Sequence, residues 1–260
     1  MSMRLPHLAA AALLCAGSIA AQAAITLTGT VRDFAADGVN FEGSIIGLVP
    51  GLVSPTLAGP SPTLTAFGST LISSAGAGGF PLWYTKAADS MPLALTLTEK
   101  AGSPGIYEYT DLSFFPIDGL LLNTGVPGTN FHFTYQIAAT FDYAPGTGQT
   151  FSFTGDDDVW VYFDKIIGID LGGVHGAASS TVSLDTLFGF GTPGAKAAGT
   201  YSFDFFFAER HTSASTLHIE TSLVLAPPPP PGIPEPPGLA LVALALAALG
   251  AASRRMARRG

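Results

Sequence analysis

Seven short runs of alternating apolar and polar residues set the limits on this fold. They are Ile25–Val31, Leu93–Thr98, Phe131–Ile137, Thr150–Phe153, Val159–Phe163, Tyr201–Phe207 and Leu217–Val224. Gly, Pro, Asn and Asp punctuate the stretches between them. A period of two places successive side chains on opposite faces of a strand. Turn residues at short spacing then join such strands into a sandwich or barrel. No amphipathic helix of useful length intervenes. The body therefore predicts an all-β fold, an antiparallel β-sandwich or jelly roll. Phe131, Phe133, Phe151, Phe153, Trp160, Phe203 and Phe205 are expected to face its core. Residues 44–80 break the pattern. They are uncharged and rich in Gly, Pro, Ser and Thr, which predicts an excursion or loosely packed segment. No internal repeat is visible.

The two ends read as addresses rather than as fold. Residues 1–23 carry Arg4, an apolar stretch from Leu8 to Ala21, and Ala21-Gln22-Ala23 ahead of Ala24. This is the pattern of a secretory signal helix cleaved between Ala23 and Ala24. Leu14 before Cys15 argues against lipidation. Cys15 is the only cysteine and departs with that peptide, so the exported body must rest on its core or on bound ions. At the far end, residues 227–237 form a Pro-rich linker and 238–253 an apolar run of about 24 Å as a helix, slightly short of a bilayer core. Residues 254–260 contain Arg254, Arg255, Arg258 and Arg259 and belong on the cytoplasmic side. The expectation is a marginal C-terminal transmembrane helix with the body, 24–226, outside.

Charge narrows the function classes. The full chain of 260 residues has a formal charge of −8, but 24–226 holds six basic against eighteen acidic side chains. An acidic body repels phosphate backbones, which excludes nucleic acid, and suits divalent cations or neutral sugars. A 47% apolar content excludes a disordered chain.

Three stretches concentrate the polar chemistry. Thr154-Gly155-Asp156-Asp157-Asp158 lies between two apolar strands and is expected to cap a loop at a sheet edge. Adjacent carboxylates there suit either a solvated acidic turn or a Ca²⁺ site, since Ca²⁺ takes six to eight oxygens. The alternating spacing of an EF-hand is absent. Asp164-Lys165 is expected to turn a hairpin, and Gly172-Gly173 to free the backbone before His175. Glu209-Arg210-His211 ends the third stretch; Glu209 and Arg210 are expected to make surface ion pairs. A triad of Ser213, His211 and Asp157 lacks the G-x-S-x-G elbow.

Two resemblances add to this reading. Pro234-Glu235-Pro236, the apolar run and the arginines resemble a PEP-CTERM sorting signal, with Arg254 and Arg255 opening its basic end. That resemblance implies processing by an exosortase, an inner-membrane intermediate, and a final place at the cell surface or outside it. Thr28–Phe34, Phe131–Thr134, Phe151–Trp160, Asp170–His175 and Phe207–Thr212 occur in the order of a fibro-slime domain, which is similar to protective-antigen-type β-sandwiches. The second resemblance implies a lectin- or adhesin-like matrix module. It also implies that Asp156 and Asp157, joined by a cis peptide, hold Ca²⁺ against sugar hydroxyls. Asp158, His175, Glu209 and His211 are the further candidates for a ligand-binding loop. Asp158 and the glycine-free Asp164-Lys165-Ile166 turn depart from that pattern. The alternatives are a purely structural surface protein and a secreted glycoside hydrolase, whose two carboxylates would have to stand about 5–9 Å apart across a bond.

Overall fold

The computed structural model describes residues 24–43, 47–123 and 128–228. The signal peptide with Ala23, the PEP motif, the apolar run 238–253 and the Arg-rich tail lie outside the described residues. Among those described, no helix is long and apolar enough to cross a membrane.

Eleven strands run as β1 (Ala24–Asp33), β2 (Ser90–Glu99), β3 (Tyr107–Asp111), β4 (Phe133–Tyr143), β5 (Thr150–Asp156) and β6 (Asp158–Phe163). They continue as β7 (Ile166–Leu171), β8 (Ala178–Ser183), β9 (Gly199–Glu209), β10 (Thr216–Thr221) and the short β11 (Leu225–Ala226). The all-β expectation holds, and every ladder is antiparallel. The two-sheet expectation is refined. The strands form one continuous sheet in the order β7-β6-β9-β4-β1-β2-β3-β10-β5-β8, with β11 on β4. Its end strands β7 and β8 pack together without a ladder, so the sheet curls almost into a barrel. Near-closure hides most of the edge that an open sheet would expose.

Alternation fills the interior. Phe203, Phe205 and Phe207 of β9 point inward with Val159, Val161 and Phe163 of β6 and Phe151 and Phe153 of β5. Each is 0–1% exposed, worth about 2–3 kcal/mol per side chain on burial. Phe131 is only half-buried and packs edge-on against Phe115. Trp160 is buried, but on the opposite face of its strand.

That opposite face is covered by residues 47–86, which take in the described part of the 44–80 segment expected to be an excursion or loosely packed. Leu52, Val53, Leu57, Ile72, Phe80, Trp83 and Tyr84 are buried there against Trp160, Tyr162, Phe206 and Ala208. The backbone is stitched to the barrel by Val49 N–H to Gly172 O (2.6 Å), Leu57 N–H to Lys165 O (2.9 Å) and Ile167 N–H to Pro55 O (2.9 Å). The segment is irregular because its apolar residues fit pockets rather than a repeat. It is a packed second layer because β6 and the middle of β9 are apolar on both faces and need a cover. Asp164 (φ 48°) and Lys165 (φ 67°) turn the β6–β7 hairpin as expected, through two residues in the left-handed region.

Candidate functional site

The acidic run does not form a solvated turn. Asp156, Asp157 and Asp158 are 5%, 4% and 0% exposed, and the chain passes from β5 to β6 through them. The Asp156–Asp157 peptide is cis, as the resemblance implies. Two loops fold over this junction, 172–176 after β7 and 210–215 after β9. Gly173 permits the first: its φ is +110°, and a Cβ there would stand 2.1 Å from Gly47 O.

Each carboxylate has a different partner set. Asp158 lies on the outer face of β6 and makes an ion pair with Arg210, Nε at 2.7 Å and Nη2 at 2.6 Å from Oδ2. The Nε contact is an aligned hydrogen bond; the Nη2 contact is close but not aligned. Gly173 N–H donates to Asp158 Oδ1 (2.5 Å), Arg210 Nη1 donates to Asn40 O (3.2 Å), and the guanidinium lies 5.1 Å from the Trp83 ring centroid. The surface ion pairs expected of Glu209 and Arg210 are therefore corrected. Adjacent strand residues point to opposite faces, so the two cannot share one partner, and both are buried.

Asp157 is held by backbone alone. His175 N–H donates to Oδ1 (2.9 Å) and Arg210 N–H to Oδ2 (3.1 Å). Burial, reinforced by the neighbouring Asp158 charge, pushes its pKa up to about 8. Asp156 accepts Thr216 N–H at Oδ1 (2.5 Å), and burial raises its pKa as well. Glu209 is 0% exposed with neither carboxylate oxygen hydrogen-bonded among the described residues. Burial first, then the Asp157 charge, pushes it up to about 10. Ser215 Oγ stands near enough to ease that shift slightly but makes no aligned hydrogen bond.

Asp156 and Asp157 open onto a cleft of about 140 Å³, lined also by Val174, His175, Arg210, His211 and Ser213. The structure thus brings Asp156, Asp157, His175 and His211 together on one cleft and places Asp158 and Glu209 behind it. His211 adopts φ +71°, its N–H bonds Phe41 O (2.8 Å), and its Nε2 is 3.8 Å from Glu42 Oε2. No hydrogen bond among the described residues joins Ser213, His211 and Asp157. Sequence reasoning missed Asn40, Trp83 and Ser215. Ser215 alone carried a signal, as one of several small hydroxyls after His211.

The donor set fits a hard cation better than a transition metal. The floor offers carboxylate oxygens, the His175 ring nitrogens face backbone carbonyls instead, an orphaned buried carboxylate lies behind, and among the described residues no lysine or arginine pairs with Asp156 or Asp157, because Arg210 is committed to Asp158. No three Asp, Glu, His or Cys side chains among the described residues already enclose one point.

No family model matches the chain. It is similar to three proteins of Dictyostelium discoideum. Protein psiQ is 40% identical over 199 residues, 70% of this chain and 19% of psiQ. Protein psiC is 46% identical over 144 residues, 52% of this chain and 26% of psiC. Protein psiD is 36% identical over 218 residues, 76% of this chain and 41% of psiD. The chain spans less than half the length of these relatives. Among solved structures, a PA14 sugar-binding domain from an RTX adhesin is similar at TM-score 0.35 and 12% identity, over 77% of this chain and 91% of that one. The PA14 domain of the MpAFP antifreeze protein is similar at TM-score 0.32 and 10% identity, over 80% and 95%.

Proposed function

We propose that this chain is an exported surface or extracellular-matrix protein whose β domain binds polysaccharide through Ca²⁺ held at Asp156 and Asp157. The observation that carries the reading is the cleft floor. Two carboxylates sit in a low-dielectric recess, supported by backbone N–H groups and without a cationic side chain of their own. Such a recess favours a bound cation over bare charge. A bound Ca²⁺ keeps coordination positions for sugar hydroxyls, and His175, His211 and Ser213 would meet the rest of the ring. Among the described residues, the cleft offers no further carboxylate across from Asp156 and Asp157, which favours binding over glycoside hydrolysis. Export, exosortase processing, a transient membrane anchor and release to the surface belong to the same proposal. They rest on residues 1–23 and 227–260. The fibro-slime and PEP-CTERM likenesses also stand as proposals.

Calorimetry of the purified chain with Ca²⁺, followed by a glycan panel, tests the site. Ca²⁺ binding that is lost in Asp157→Ala, with glycan binding that requires Ca²⁺, supports it. An Asp157→Ala chain that binds Ca²⁺ as well as the wild type would sink it.

A second reading has one observation in its favour. Both Asp157 oxygens already accept backbone N–H bonds from loops 172–176 and 210–215, so the acidic run could serve only to clamp loops in a purely structural protein. A melting temperature indifferent to both chelator and Ca²⁺ favours that reading.

A further inference from the structure

Glu209 takes no part in the cleft wall, yet it is the least explicable charge in the molecule. Alternation along β9 turns it inward, to the side of Phe205 and Phe207, while Arg210 turns outward to Trp83. The β4–β9 register sets Phe133 opposite it. The β6–β9 register sets Asp158 opposite Ala208, so the next residue back, Asp157, comes to the level of Glu209. On the other flank, Thr216 pairs with Asp156, which brings Ser215 to the same level. Ser215 is 1% exposed, and its Oγ also lacks a hydrogen-bond partner among the described residues. Among the described residues, two buried side chains thus leave three oxygens unsatisfied at the level of Asp156 and Asp157. Buried oxygens are nearly always satisfied, and each exception signals strain, function or a missing partner. A core that needed only shape would place a Leu or Met here, beside Phe133 and Phe207, at no polar cost.

We propose that Glu209 and Ser215 form the inner half of the cation site, Glu209 supplying a carboxylate oxygen and Ser215 its hydroxyl oxygen to an ion that Asp157 holds from above. The proposal rests on the cation reading of Asp156 and Asp157 and adds ligands to it. The charges support a divalent ion. Arg210 neutralises Asp158, so a divalent ion is the charge that Asp157 and Glu209 call for once they give up their protons to bind it. The oxygens support a hard ion, Ca²⁺ before Zn²⁺. The side chains do not yet enclose a point, so binding must draw them together. Asp156, Asp157 and Asp158 are each anchored by backbone N–H groups. Glu209 has no such anchor, so it is the carboxylate that moves.

The test compares the purified full chain with Glu209→Gln, Ser215→Ala and Asp157→Asn, using Tb³⁺ luminescence with Ca²⁺ competition and urea unfolding in chelator. Glu209→Gln is expected to weaken Ca²⁺ by about 10–100-fold or more. In chelator it should unfold at the same urea concentration as wild type or higher, because the carboxyl it replaces has no hydrogen-bond partner among the described residues to lose. Ser215→Ala should weaken binding in the same direction by a smaller factor. Wild-type affinity in Glu209→Gln, with binding lost in Asp157→Asn, overturns the inner half and leaves the outer reading intact. Earlier unfolding of Glu209→Gln in chelator also overturns it, since that is the mark of a structural acid. No Tb³⁺ or Ca²⁺ binding by the wild type overturns both readings.

Discussion

Arg210 and Glu209 are neighbours in the chain and opposites in their surroundings. Arg210 faces the outer layer, where Asp158 pairs its charge and Asn40 O and the Trp83 ring meet it as well. Glu209 faces the barrel interior, where no described residue hydrogen-bonds either of its oxygens. The same contrast divides the acidic run. Asp158 is matched by a full positive charge, whereas Asp156 and Asp157 have only N–H dipoles. A buried charge with a side-chain partner is architecture. A buried charge without one is a place for something that arrives from outside. That difference, rather than the number of acids, separates the structural part of this cluster from the part available for function.

The largest expected effect lies on the outer side. Arg210→Met leaves Asp158 buried and unpaired, and should cost about 3–5 kcal/mol in urea unfolding. Combining it with Asp158→Leu should restore most of that loss, because two apolar groups in the Trp83 layer replace a pair that only matches itself. If the double variant is as unstable as the single one, the pair does more than satisfy its own charges.

A smaller effect separates the inner side by pH. Asp157 and Glu209 bind protons in the fold up to about 8 and about 10, and Asp33, Asp156 and Asp170 shift the same way because of burial. The folded chain therefore holds these protons more tightly than the unfolded chain does. That contribution is complete below the ordinary carboxyl range near pH 4 and drains away as pH rises through about 8 and about 10. In chelator, the urea midpoint should fall between pH 6 and pH 10 on the order of what these groups allow. Glu209→Gln should flatten the upper part of the fall. A midpoint that rises with pH across that window would contradict the assigned direction.

Much of the fold was legible because alternation is a local signal. Ile25–Val31, Leu93–Thr98 and Thr150–Phe153 all lie within observed strands, and Asp164-Lys165 turns the hairpin it was expected to turn. The second layer was not legible from residues 44–80, since its apolar side chains follow no period. Its trace lay elsewhere. Val159–Phe163, expected to alternate, and Phe205–Phe207 hold only apolar and aromatic residues, and a strand of that kind is covered on both faces. The carboxylates of the site were legible by type but not by partner. Asp158 meets Arg210 across 52 positions of chain, and only the β6–β9 register shows it. Glu209 was misjudged for the same reason: beside Arg210 in sequence, it reads as half of a surface pair until the strand's alternation separates them.

The central claim is that the acidic floor binds a cation that the fold itself does not supply. The most direct measurement is the unfolding free energy of the full chain in chelator and in saturating Ca²⁺ at one pH. A ligand at about a hundred times its Kd adds about 2.7 kcal/mol to a chain that binds it only when folded. A gain of that order, absent in Asp157→Asn, is the predicted result. Equal stability in chelator and Ca²⁺ would contradict the account.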